Sequence, residues 1–208
     1  MPMRLKTSIE IFNYWDRLRG ADPAPLRSQI DPSSIRRTLP ELFILEAADK
    51  PFFRLAGTHV CGFFGRELRD AAFGSLWGDT QGEDAEKIAA GVMAHAMPTL
   101  INATGYGSRG NSMAFEIVLM PLRSSVDACD RLLGSIAPAG NSVWLGADPL
   151  DFLALDRSRL LNDRGAIPAQ SVEEQDSGRS LFATRGAELG HMVRRVMHLR
   201  IFEGGRAG

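Results

Sequence analysis

Lysine is nearly missing from this 208-residue chain: Lys6, Lys50 and Lys87 are the only three, and arginine supplies the rest of the 24 basic residues. Against 25 Asp and Glu they leave a net charge of -1, so no global field draws the chain to a polyanion or an anionic membrane. Nucleic acid is therefore not an expected partner, and the arginine excess reads as composition before it reads as guanidinium chemistry. Cysteine is equally scarce. Cys61 and Cys129 allow one bridge at most, and no C-x-x-C spacing accompanies them, which argues against a disulfide scaffold and a thiolate metal site. Long apolar runs are absent too. Met1 to Lys6 leads into a polar, aromatic stretch, where a secretory signal needs an apolar run of ~7 to 15 residues. The least charged stretch, 88–106, is rich in alanine and glycine, contains His95, Pro98 and Asn102, and falls short of the ~20 strongly apolar residues of a spanning helix. The expectation is a cytoplasmic chain, neither secreted nor embedded.

What is present is ordinary for a folded domain: 44% hydrophobic and 24% charged residues, the range of soluble globular chains. Thr7 to Arg19 reads as an amphipathic helix, with a Thr7-x-x-Glu10 capping box, a stripe of Ile11, Trp15 and Leu18, and Gly20 as its stop. Asp31-Pro32-Ser33-Ser34-Ile35 opens one short helical turn. Leu42 to Glu46 and Phe52 to Ala56 form two strands of a hairpin, and the glycine-interrupted 57–68 stretch forms short helices or turns. Asp84 to Ala96 is the longest helix of the middle, closed by Pro98. Three extended runs follow, Thr99 to Tyr106, Met113 to Leu122 and Arg131 to Ala137; the first two are joined by the turn at 107–111. This is an α+β order. Gly165 to Ser180 is polar and reads as a linker, and from Arg179 onward six arginines face only Glu188 and Glu203.

Tyr14 to Gly20, Pro25 to Pro32, Leu39-Pro40, Phe53-Arg54-Leu55-Ala56-Gly57-Thr58, Phe64 to Leu68, Leu76-Trp77 and Glu116 to Leu122 together resemble a PAS-fold family of bacterial, chiefly α-proteobacterial, proteins. The likeness spans roughly Ser8 to Ala147. It implies a single PAS-type domain with a five-stranded antiparallel sheet of order 2-1-5-4-3. The expected organisation is a helix and connection at 1–38, the PAS domain at 39–147, and a weakly ordered, partly disordered extension at 148–208. The resemblance carries no enzymatic chemistry. It implies a sensory or regulatory role, and because no kinase, cyclase or DNA-binding signature fits in the residues left over, the expectation is a stand-alone module without a catalytic output domain, binding a small molecule, a signalling protein partner, or both. The alternative is a structural interaction module with a filled core and no ligand.

Phe43, Leu45, Phe53, Leu55, Cys61, Trp77, Phe115 and Ile117 are the candidates for a ligand pocket in that interior. Arg54, His59, Arg66 and Glu116 are its candidate polar handles, or else members of structural ion pairs. His59 and Cys61 invite a haem or a flavin, but neither has a supporting motif: there is no C-x-x-C-H, and Val60-Cys61-Gly62-Phe63 departs from the sequence around the reactive cysteine of light-sensing PAS proteins. No metal site and no catalytic set can be assembled from adjacent motifs. Ile11, Trp15 and Leu18 form a stripe expected to pair with a twin in a homodimer.

Overall fold

The computed structural model of the chain describes residues 3–125, 128–141 and 143–161. The arginine-rich segment and the 165–180 linker lie outside the described residues. Helix α1 (Lys6–Arg19) comes first, and Gly20, at φ 55, ends it in a conformation that side chains resist. Three short 3-10 turns follow, Arg27–Gln29, Pro32–Ile35 and Leu39–Glu41. The second is the expected one: Asp31 caps it by accepting the Ser33 N–H, and Pro32 opens it. Strands β1 (Leu42–Glu46) and β2 (Phe52–Ala56) then pair as a hairpin. Helix α2 (Thr58–Phe63), a 3-10 turn at Phe73–Leu76 and helix α3 (Gly82–His95) lead to three long strands. These are β3 (Thr99–Gly107), β4 (Ser112–Leu122) and β5 (Arg131–Pro138), close to their expected bounds.

The sheet order is β2-β1-β5-β4-β3, as the resemblance implies, with one addition: β6 (Leu150–Leu160) pairs antiparallel with β3 and makes six strands. The boundary expected at 147 therefore falls short of the sheet. The sequence of β6 hides it. Asp151, Asp156, Arg157 and Ser158 interrupt its apolar residues because one face and one edge of the strand are wet, and a bulge opposite Asn102/Ala103 breaks its alternation. Its outer edge is not left bare. Gly78 donates to the Leu153 carbonyl, and the Gln81 side chain both accepts the Leu155 N–H at 2.7 Å and donates to the Leu155 carbonyl. A glutamine thus does the work of a neighbouring strand, covering an edge that would otherwise invite pairing with another chain.

Each face of the sheet carries its own core. On the inner face, α2, α3 and the Phe73–Leu76 turn pack on Phe43, Leu45, Phe53, Ile101, Phe115 and Ile117. On the outer face, Ile11, Tyr14 and Trp15 of α1 pack with Leu42, Leu100, Val118, Met120, Leu122 and Leu133. The two sets alternate along β4, which is why its central run is buried on both sides. Pro121 sits within β4, and the fold tolerates this because β3 pairs with β4 only as far as Leu119. Gly134 on β5 lies under the Phe43 ring, whose atoms would collide with any added Cβ, so this close approach requires glycine.

Candidate functional site

The inner face holds a connected group of rings. Phe43 and Phe53 meet edge-on at 5.4 Å between centroids, Phe73 stacks on Phe43 at 6.1 Å, and Trp77 meets Phe73 at 5.7 Å and 71°. Phe63 of α2 adds a contact to Phe115 of β4 at 5.6 Å. Offset and edge-on pairs of this kind contribute ~0.5 to 1.5 kcal/mol each beyond their buried area. Phe43, Leu45, Phe53, Trp77, Phe115 and Ile117 are all buried in this one cluster, and Cys61 packs at its margin. Trp77 carries the one polar atom of the ring group, and its indole Nε1 is buried with no hydrogen-bond partner among the described residues.

Leu55 is not with them; it is 53% exposed. The register explains it. Leu45 pairs with Phe53 and Ile44 with Leu55, so Arg54 is the extra residue of a β-bulge. Beyond a bulge the alternation shifts by one, and Leu55 turns away from the interior. The polar candidates also lie elsewhere. Arg54 reaches outward to Glu46, 3.9 Å away, which Arg131 approaches at 3.4 Å. His59 is 60% exposed and faces Glu41 at 3.8 Å. Arg66 donates to the Ser75 carbonyl at 3.2 Å on the surface. Glu116 is buried, but on the outer face, between inward-facing Phe115 and Ile117. These four are therefore not handles within the interior.

Glu116 instead caps α1. Its carboxylate accepts the Arg4 N–H at 3.0 and 3.1 Å and the Leu5 N–H at 2.9 Å, whereas Leu5, the residue before the helix, offers no side-chain cap. The Thr7–Glu10 capping box does not form; a carboxylate 111 residues away in sequence takes the amide of Leu5, one of the free amides that every helix start presents, together with that of Arg4 just before it. Trp15 then anchors the helix through its indole N–H, which donates to the Pro121 carbonyl at 2.8 Å. Ile11 is fully buried and Trp15 is 1% exposed, and Leu18 packs against the same cluster. The stripe expected at a homodimer interface is thus used within the chain, because the outer face of the sheet needs an apolar cover.

Two further features were not anticipated from sequence. Asp148, buried before β6, accepts from Ser108 Oγ at 3.0 Å and Asn111 Nδ2 at 2.8 Å, and the Asn111 bond leads the causes that hold its carboxyl below the usual range. It ties the β3–β4 turn to the start of the sixth strand. An open groove of 840 Å³ runs between α1 and the Pro32–Ile35 turn, lined by Glu10, Asn13, Arg17, Ser34, Arg36 and Arg37 among others; it carries both signs of charge.

Cys61 donates its thiol to Glu67 Oε1 at 3.5 Å, and burial, followed by the Glu67 carboxylate, pushes the thiol above its ordinary value. Glu67 itself is held low by the backbone N–H groups of Arg69 and Leu68. Both cysteines are free thiols, and burial raises Cys129 as well. Thiols in this condition are poor nucleophiles. Among the described residues no three His, Cys, Asp or Glu side chains gather as a metal site, and no helix is long and apolar enough to cross a membrane.

The family model for the PAS domain matches residues 3–137. The chain belongs to the PAS domain family. Among solved structures, this PAS domain is similar to a light-oxygen-voltage domain from work on a flavin analogue (14% identity, 53% of this chain and 84% of that one, TM-score 0.41). It is similar also to the dark structure of the blue-light photoreceptor Aureochrome1 LOV (15% identity, 52% and 81%, TM-score 0.41). A third is a Rhodobacter sphaeroides LOV protein (16% identity, 55% and 71%, TM-score 0.39). No curated protein matches the chain.

Proposed function

We propose that this PAS domain is a cytoplasmic sensory module whose interior takes a small, largely apolar molecule bearing a hydrogen-bond acceptor, and that a partner protein reads its state. Trp77 carries this reading. Its buried indole N–H has no acceptor among the described residues, and a buried donor left unmade costs ~1 to 3 kcal/mol. A carbonyl or ether oxygen on a ligand beside Phe73 would remove that cost, and the neighbouring rings would offer their faces to its apolar body. Haem and a cysteine-linked flavin do not fit the residues present: His59 faces Glu41 at the surface, and the Cys61 thiol is engaged by Glu67. The role is regulatory rather than catalytic, a reading supported by the raised thiol and the dispersed polar side chains.

The close packing of Phe43, Phe53 and Phe73 favours a second reading, in which the interior is solid and the domain serves as a docking surface for its partner. Native mass spectrometry of the purified protein separates them. A bound small molecule on the wild type that is lost in Trp77→Phe supports the sensor; the bare chain mass for both supports the docking module.

A further inference from the structure

The outer face of the sheet carries a buried charge with no hydrogen bond among the described residues. Arg159 of β6 is only 9% exposed, and its Nε, Nη1 and Nη2 atoms all lack a hydrogen-bond partner among the described residues. A buried guanidinium left in this way is among the costliest groups a fold can hold. Among the described residues the carboxylate that acts on it is Glu116, which is 4% exposed and works against the burial that pulls the arginine below its ordinary value. The register places the two on one face. Asn102 of β3 pairs with Glu116, and Leu100, two residues away and so on the same side, pairs with Arg159. Yet Glu116 is committed elsewhere, to the N–H groups of Arg4 and Leu5.

Helix α1 is correspondingly uneven. Its second half is anchored, with Tyr14 and Trp15 buried against the sheet and Trp15 bonded to Pro121. The two residues that lead into the helix, Arg4 and Leu5, rest on Glu116, and Ser8 in its first turn buries a hydroxyl that also lacks a partner among the described residues.

We propose that Glu116 is a two-position latch, holding the entry to α1 at Arg4 and Leu5 in one position and pairing with Arg159 in the other, so that the start of the helix lifts while Trp15 keeps the rest of it on the sheet. The exchange conserves charge. It gives the buried cation an acceptor, and it hands two backbone N–H groups and the Ser8 hydroxyl to water, where they find partners freely. The latch lies on the opposite face from Trp77, so it stands whether or not the interior takes a ligand.

Amide hydrogen exchange by NMR tests it on the full chain. Arg4 and Leu5 are protected only while Glu116 holds them, so they exchange through local opening, ahead of Val118 and Leu119 in the middle of β4. Arg159→Met removes the second position and slows Arg4 and Leu5 by about tenfold relative to Val118 and Leu119, the scale of one hydrogen bond to a charged group. Unchanged or faster exchange at Arg4 and Leu5, or a slowing shared equally by Val118 and Leu119, overturns the proposal. Should that variant not fold, relaxation dispersion on the wild type decides. The latch requires one common rate constant at the Arg4 and Leu5 amides and at Arg159 Nε, lost in Glu116→Gln; a static Arg159 Nε or unrelated rates overturn it.

Discussion

Arg54 is the residue at which the alternation of β2 breaks, and its placement decides which neighbours belong to the interior. Read as a plain strand, Phe53 and Leu55 share a face; with Arg54 bulged they do not. A bulge has no composition of its own, since it depends on how the partner strand is registered, and so it is invisible in a single strand's sequence. The difference is large enough to measure. In urea denaturation, Phe53→Ala loses about 3 to 5 kcal/mol as a buried ring leaves a cavity, whereas Leu55→Ala stays within about 0.5 kcal/mol. Equal losses would put Leu55 back in the core. A second residue reports on pH. Hydrogen bonds from Ser34 and Ser33 to the Asp31 carboxylate lower its pKa to about 2 from the ordinary value of 3.8. A depressed carboxylate stabilises the fold fully above its unfolded pKa, and that contribution is lost as pH falls toward and through about 2. NMR titration of the Asp31 side chain should give that midpoint, and Asp31→Asn should remove its part of the acid dependence; a midpoint near 4 would mean the cap is not formed in solution.

At the scale of elements, the five strands of the PAS order were legible because each is a bounded apolar run with a turn signal beside it, Gly107 to Asn111 being the strongest. Helix α1 was legible as a helix and misread in its surroundings. Its stripe of Ile11 and Trp15 says that something apolar covers it, and nothing local says whether that is a twin or its own sheet; the outward residues of β4, Val118, Met120 and Leu122, supply the cover. Its true cap, Glu116, was out of reach of any local pattern, since the partners are brought together only by the finished sheet. The sixth strand was hidden by its charged residues, and the device that closes its edge is a single glutamine side chain. Placing Trp15 inside the fold makes a definite prediction. Trp15→Ala should cost about 3 to 5 kcal/mol of stability and leave the mass measured by light scattering unchanged; a drop in mass with full stability would return the stripe to an interface.

At the scale of the whole molecule, the sheet separates two regions of different character. Among the described residues, the inner face is a ring-lined interior in which the Trp77 donor is orphaned, and the outer face is an apolar seat for α1 on which the Arg159 cation lacks a hydrogen bond. Both orphans sit where a PAS domain has something to gain by changing state: an acceptor brought by a ligand on one side, an acceptor released by a helix on the other. Most candidate residues for the interior were legible as large apolar side chains of strands and turns, while Leu55 and the polar handles were not, because their direction depends on bulges and on strand parity. The central claim is that the interior receives a small molecule through the Trp77 N–H. Native mass spectrometry of the protein purified under gentle conditions tests it most directly: the account predicts a chain that carries one small molecule in the wild type and none in Trp77→Phe of equal thermal stability. A wild-type spectrum showing only the bare chain, or an adduct that persists unchanged in Trp77→Phe, would contradict it.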